Sequence, residues 1–290
     1  MSVAGFSLMK SIAIIGHSHV VAILDGIGCW RKAAHLDQDC EDKSYTAAFQ
    51  DWYSVNTAGK LFEILPKKQF EAFRGAKVSP ITSAGSYTVA TLTRLDNGSM
   101  QASISPDLQA FLNEVAEFDV VISVLHGGEH VKRGIVNDMP EYDFAPYEEG
   151  LTDYYPIDSS YIAKYLAQDI QTVGAPLLAM CLSLKKARLL HVAPPPPLKD
   201  PSAAKVYENL DDLVRRYGFV RPALRLKWYS RYLASLRSVT ARLGITLVEP
   251  NDHALTVDGF LNPEFAEGLT HGNARYGELM AGDLARLIQE

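Results

Sequence analysis

Four short runs of β-branched and aliphatic residues each end at a glycine or proline, with amphipathic stretches between them. That alternation limits the fold more than any other feature of the chain. The first run is Ser11-Ile12-Ala13-Ile14-Ile15-Gly16, and residues 19–30 follow it with Val20, Val21, Ile23, Leu24 and Ile27 at helical spacing. The second run, residues 119–125, enters His126-Gly127-Gly128, and the third, residues 188–193, enters Pro194 to Pro197. A fourth, residues 245–248, stops at Glu249-Pro250. Short apolar runs bounded by turn residues read as buried strands. The periodicity predicts helices over residues 106–117, 159–173, 222–243 and 274–288. Strands alternating with helices imply a mostly parallel, doubly wound α/β sheet.

With 290 residues the chain can bury most of its surface on folding, and one α/β domain over 1–290 is the simplest division. Apolar residues at 47% and charged residues at 21% exclude a disordered or low-complexity protein. A formal net charge of -6 argues against a nucleic-acid partner held by phosphate neutralisation. No apolar run has the length of a membrane span. The three cysteines, Cys29, Cys40 and Cys181, form no C-x-x-C pair, so neither a zinc cage nor a disulfide framework is indicated. The first residues lack a basic region followed by a cleavage site, so a reducing cytoplasm is the expected location.

Two stretches stand apart. Residues 132–158 carry Pro140, Pro146, Pro156 and five aromatic residues, and they follow a strand end. They read either as a lid or insertion over a site, or as a surface excursion packed by its own aromatics. Residues 213–248 hold eight Lys/Arg and no Asp or Glu. Trp228 and Tyr232 interleave with the basic positions. The stretch reads as an anion-binding helix, or as an amphipathic helix with Leu226, Tyr229, Leu233, Leu236 and Leu243 inward and its charges solvated.

Four segments carry candidate chemistry. Gly16-His17-Ser18-His19 lies where the first strand meets its helix. A serine there has helix-start N–H groups nearby, which favour negative charge on a reacting oxygen. It could equally be a simple N-cap. Thr270-His271-Gly272-Asn273 precedes the last helix and offers an imidazole that titrates near neutrality, the property of a general base. His126-Gly127-Gly128-Glu129-His130 lets the backbone approach a ligand closely. Ser83-Ala84-Gly85-Ser86 is a small-residue turn.

In this order the four segments resemble the blocks of the SGNH/GDSL hydrolase superfamily. The resemblance spans residues 11 to 277. It implies a three-layer α/β/α sandwich with a mostly parallel, flavodoxin-like five-stranded sheet, no cofactor and no metal. It also implies a serine esterase acting on a small-molecule or glycan ester. Ser18 takes the nucleophile's place and His271 the base's. The N–H groups of Ser18 and Gly85, with Gly128, take the oxyanion hole's. His17, His19, Glu129 and His130 would line the substrate site. Two positions depart from the pattern. The third block offers Gly128 and Glu129 where the family has Asn, and Gly268 stands where the family has an Asp three residues before the His. Glu267 is the nearest carboxylate in sequence; a backbone carbonyl between Glu267 and Thr270, a water, or Glu129 from across the site are the other candidates for orienting His271, and a carbonyl or water there implies a weakened dyad and a slow esterase. Those departures also leave room for a non-catalytic binding protein on the same scaffold. A metal-dependent phosphoesterase using His17, His19, His126, His130, His191, His271 and Glu129 is the remaining rival.

Overall fold

The computed structural model describes residues 10–32, 62–80, 89–125, 134–137, 141–202, 204, 208–269 and 271–290. The central sheet contains strands β1 (Ile12–Gly16), β2 (Gly28–Lys32), β3 (Phe62–Pro66), β4 (Lys77–Pro80), β7 (Val120–Val124), β10 (Arg188–Val192) and β11 (Thr246–Val248). A separate hairpin pairs β5 (Ala90–Arg94) with β6 (Met100–Ile104), and a short parallel pair joins β8 (Tyr142–Phe144) to β9 (Tyr155–Ile157). The helices are α1 (His19–Ile27), α2 (Pro106–Glu114), α3 (Ser159–Ser183), α4 (Glu208–Tyr217), α5 (Pro222–Leu243) and α6 (Ala274–Gln289).

The sheet runs β11-β10-β7-β1-β4-β3-β2. The five strands from β11 to β4 are mutually parallel. In chain order they give the 2-1-3-4-5 sequence of a flavodoxin-like sheet, with the switch point between β1 and β7. Strands β3 and β2 extend it as antiparallel neighbours. Alternate residues of the central strands serve two cores, as a period of two demands. Ala13, Ile15 and Val121 pack with α2, α3 and α5 on one face. Ile12, Ile14, Val120, Ile122 and Val124 pack with α1 and α6 on the other. Both faces of the sheet are therefore covered, as the uninterrupted apolar runs require.

Three helix ends differ from the sequence expectation by three residues or more, among them that of α2, which stops at Glu114 rather than at residue 117. The first helix ends at Ile27 rather than at residue 30, because the chain turns at Gly28 into β2. A side chain at Gly28 would lie 2.2 Å from the carbonyl oxygen of Leu65, so the antiparallel approach of β2 to β3 needs glycine there. The third helix continues to Ser183, ten residues past the expected end at Val173 and through Pro176. Ala175, Leu177, Ala179 and Met180 in that extension are all buried in the core, and this burial outweighs the hydrogen bond that proline removes. No helix of the described residues is long and apolar enough to cross a membrane.

The charges of the basic helix α5 only partly follow the amphipathic expectation: Arg231, Arg237 and Arg242 are exposed, whereas Arg221 and Lys227 are not. Tyr229, Leu233 and Leu236 are buried as its periodicity predicts, whereas Leu226 and Leu243 are half-buried. Trp228 and Tyr232, which alternate with the basic residues, are buried too. The half-buried Arg221 and Lys227, with the exposed Arg231, grip residues 141–148. Lys227 Nζ donates to Asp143, to Phe144 O at 3.0 Å and to Pro146 O at 2.6 Å. Arg221 donates to Glu141 at 2.6 Å and to Tyr142 O at 3.0 Å, and Arg231 donates to Ala145 O at 2.8 Å. Trp228 Nε1 donates to Tyr142 Oη at 2.8 Å.

Candidate active site

The first loop is shaped by what cannot fit. A Cβ at Gly16 would lie 2.8 Å from Val20 Cβ and 2.9 Å from Val124 Cβ, so only glycine lets β1 turn into α1 beside β7. His17 carries the turn, with its carbonyl accepting from the Val20 N–H at 3.0 Å and its ring buried. Ser18 then occupies the N-cap position of α1. Its backbone is already helical and its side chain makes no capping hydrogen bond. The simple N-cap alternative therefore does not describe the hydroxyl, which points elsewhere.

The last loop is a hairpin between β12 (Ala266–Glu267) and β13 (His271–Gly272), turned through Gly268 at φ +80°. Gly272, Asn273, Tyr276 and Gly277, which follow His271, each have a specific packing role. A side chain at Gly272 would stand 2.2 Å from the Tyr276 ring, which covers that backbone. Asn273 caps α6, its Oδ1 accepting from the N–H groups of Arg275 at 3.0 Å and Tyr276 at 3.2 Å. Its Nδ2 donates back to Glu264 O at 2.8 Å, tying the helix start to the loop. Gly277 allows α6 to touch α1, since a Cβ there would fall 1.6 Å from the Ala22 carbonyl oxygen. Gly26 of α1 makes the reciprocal approach, 2.2 Å from Gly277 C. The two helices that flank the site are thus in backbone contact.

This contact brings together two residues 253 positions apart. Ser18 Oγ lies 2.8 Å from His271 Nε2, a full-strength hydrogen-bond distance. Burial pushes the His271 imidazole down to about 4 from its ordinary value near 6.5, so the ring is neutral at pH 7. The ring of His19 stacks on that of His271, with centroids 4.2 Å apart and planes 15° from parallel.

The other expected residues are placed as follows. Glu267 is the direct cross-strand partner of His271 in the β12–β13 hairpin. Opposed residues of an antiparallel pair present their side chains on the same face, so the hairpin register brings Glu267 alongside His271. Gly85, Gly128, Glu129 and His130 lie outside the described residues. The strands that lead to them do not: Gly16 pairs with Pro80 of β4 on one side and with Val124 of β7 on the other. Residues 134–136 begin the described part of the expected lid, and Ile135 and Val136 pack against Leu269, two residues before His271.

His191 is not at the site. It is fully buried in the sheet, its Nδ1 3.0 Å from Ser123 Oγ, and burial pushes its pKa down to about 3. A ring held between two central strands belongs to the core, which removes it from the ligand set of the phosphoesterase rival. Among the described residues, no group of three or more His, Cys, Asp or Glu side chains is placed to hold a metal ion. The stacking role of His19 escaped the sequence reading, because it depends on the final approach of two helices.

No known family profile matches this chain, and no curated protein matches it. Among solved structures, the chain is similar to a carbohydrate acetylesterase from Sinorhizobium meliloti at 12% identity and a TM-score of 0.42, over 97% of this chain and 98% of that one. It is similar to a GDSL-like lipase from Bacteroides thetaiotaomicron at 9% identity and a TM-score of 0.45, over 97% and 88% of the two chains. It is also similar to an extracellular lipase from Streptomyces rimosus at 13% identity and a TM-score of 0.46, over 96% and 99%.

Proposed function

We propose that the protein is a serine esterase of the SGNH/GDSL type, acting on a small-molecule ester or an O-acylated carbohydrate. The observation that carries this reading is the 2.8 Å approach of Ser18 Oγ to His271 Nε2 at the carboxyl edge of the sheet. A serine hydroxyl is a poor nucleophile until an adjacent base takes its proton. His271 is neutral at pH 7 and its Nε2 faces the hydroxyl, so in the tautomer that carries its proton on Nδ1 the Nε2 lone pair is free to accept. Ser18 Oγ attacks the ester carbonyl as its proton passes to Nε2, forming a tetrahedral oxyanion. The intermediate collapses to an acyl-serine, and the same proton leaves with the alcohol. Water then repeats the sequence in reverse and releases the acid. An acceptor hydroxyl in place of water would make the same steps an acyl transfer.

Backbone N–H groups at Ser18, Gly85 and Gly128 are the proposed oxyanion donors. The first belongs to the N-terminal turn of α1, where the helix dipole adds to it. Glu267, directly opposite His271, is the proposed orienting carboxylate. Its register opposite His271 supports that role, which Gly268, without a side chain, cannot serve.

The test uses p-nitrophenyl acetate turnover and mass spectrometry after exposure to a fluorophosphonate. The wild-type chain is expected to turn over the ester and to gain one adduct on Ser18. Ser18→Ala should lose the adduct and at least about 10³-fold in turnover. A folded wild-type protein that shows neither turnover nor adduct sinks the esterase reading.

A further inference from the structure

The following inference rests on the Ser18–His271 reading. Two consecutive residues of the same helix start hold the His271 ring from different directions. Ser18 meets its edge at Nε2, 2.8 Å away, and His19 covers its face at a centroid separation of 4.2 Å and a tilt of 15°. We propose that His19 is a positioning residue, whose ring fixes the plane of the His271 imidazole so that Nε2 stays aimed at Ser18 Oγ.

The physical need is specific. Rotation of an imidazole about its last side-chain torsion is soft, with a broad two-fold profile. His271 sits on a two-residue strand, which does little by itself to define that torsion. One hydrogen bond at Nε2 fixes where the ring's tip lies but leaves the ring free to swivel about that bond. A second ring laid almost parallel against the face removes the swivel. Both contacts come from α1, whose backbone is held by Gly16 at one end and by the Gly26–Gly277 contact along its length. The ring is therefore gripped by the element that also carries the nucleophile, and the two cannot drift apart independently. The stack has a second effect. When His271 takes the serine proton it becomes a cation lying over an aromatic face, an attractive arrangement that arises only after proton transfer has begun. Both effects act on the chemical step rather than on substrate binding. Neither uses a ring nitrogen of His19, so another aromatic ring can replace it.

The experiment compares His19→Ala, His19→Phe and His19→Gln with wild type. It reads the rate of fluorophosphonate labelling at Ser18, and kcat and KM for p-nitrophenyl acetate, with melting temperature to confirm folding. His19→Ala is expected to label about tenfold more slowly and to lose a similar factor in kcat, with KM little changed. His19→Phe should recover to within about threefold of wild type, because the stack is kept. His19→Gln should resemble His19→Ala. A folded His19→Ala that labels at the wild-type rate overturns the proposal. So does rescue by Gln but not by Phe, which would assign the role to a ring nitrogen. Labelled wild type with unaffected His19 variants removes this proposal alone, whereas unlabelled wild type removes the esterase reading together with it.

Discussion

The two faces of the sheet are held by opposite means. On one face, α1 and α6 meet backbone to backbone through Gly26 and Gly277, with no room for a side chain between them. On the other, α5 holds residues 141–148 through charged side chains that reach over to carbonyl oxygens and to the buried carboxylate of Asp143. The first joint is apolar, short and intolerant of any added atom. The second is polar and built from long side chains, each making several bonds. The proposed proton transfer between Ser18 and His271 depends on a distance, and both residues sit beside the joint that has least freedom. The loop on the other face is fixed by interactions that single substitutions can release. The comparison predicts that damage to the first joint disarms the site, while damage to the second loosens a loop and leaves the dyad working.

The largest effect is expected from Gly277→Ala. The added methyl would fall 1.6 Å from the Ala22 carbonyl oxygen, so α1 and α6 must separate. Overpacking against rigid backbone should cost about 3 kcal/mol or more, or roughly 6–12 °C in melting temperature. Labelling of Ser18 should fall by more than tenfold at temperatures where the variant stays folded, because the dyad distance is lost (about 1.4 kcal/mol per tenfold). A variant that melts lower but labels normally would show that the helix contact does not set the dyad.

Asp143→Asn tests the opposite joint. Asp143 is fully buried and accepts from Lys227, from the Phe144 N–H at 2.9 Å and from the Glu148 N–H at 2.7 Å. Removing its charge leaves the half-buried Lys227 beside a neutral amide, which should cost less than the about 3–5 kcal/mol typical of breaking a fully buried pair. Much of that should appear locally, as faster hydrogen exchange across residues 141–148. Ser18 labelling should stay within about twofold of wild type, a change of a few tenths of a kcal/mol. A large loss of labelling would mean that the loop reaches the dyad.

The smallest effect is a pH response. His271 must be neutral to accept a proton, and burial holds its pKa at about 4. Labelling should therefore be flat from about pH 8 down to about pH 6 and fall only as pH approaches 4; a midpoint near 6.5, the ordinary histidine value, would contradict the buried ring. Stability has a related dependence. His191 and His271 are both held below 6.5 in the folded state, at about 3 and about 4. The unfolded chain then binds the extra protons, so their contribution is complete above about pH 6.5 and is lost as pH falls towards those values. Replacing His191 by Phe should flatten the lower part of that fall, read as melting temperature against pH.

Much of this was legible in the sequence, for reasons that can be located. The four apolar runs became β1, β7, β10 and β11 because a strand buried on both faces needs an unbroken apolar run, and few other structures do. Helix α5 matches its expected bounds because Pro222 starts it and Gly244, at φ +68°, stops it. Ser18 and His271 stood out because each sat in a turn of small and polar residues beside a strong apolar signal. The antiparallel strands were not read. The hairpin of β5 and β6 had an available signal in Asn97-Gly98, flanked by alternating residues, which went unused. The roles of Gly26, Gly272 and Gly277 could not be read at all, since each is defined by an atom from elsewhere in the chain. The same is true of the charges on α5. Their helix was legible, but the partners that occupy Arg221, Lys227 and Arg231 lie some eighty residues earlier.

The contact between α1 and α6 also has a consequence in time. Ser18 is made 253 residues before His271, so the proposed nucleophile leaves a ribosome long before its proposed base. The groove on α1 that receives Gly277 stays empty until α6 has been made. Until then the proposed dyad lacks the contact that seats His271 beside Ser18. On that reading, arming the serine waits for α6 to dock on α1, and a chain without α6 carries Ser18 unarmed. A truncation that removes only α6 should then leave a translation product that the fluorophosphonate passes by.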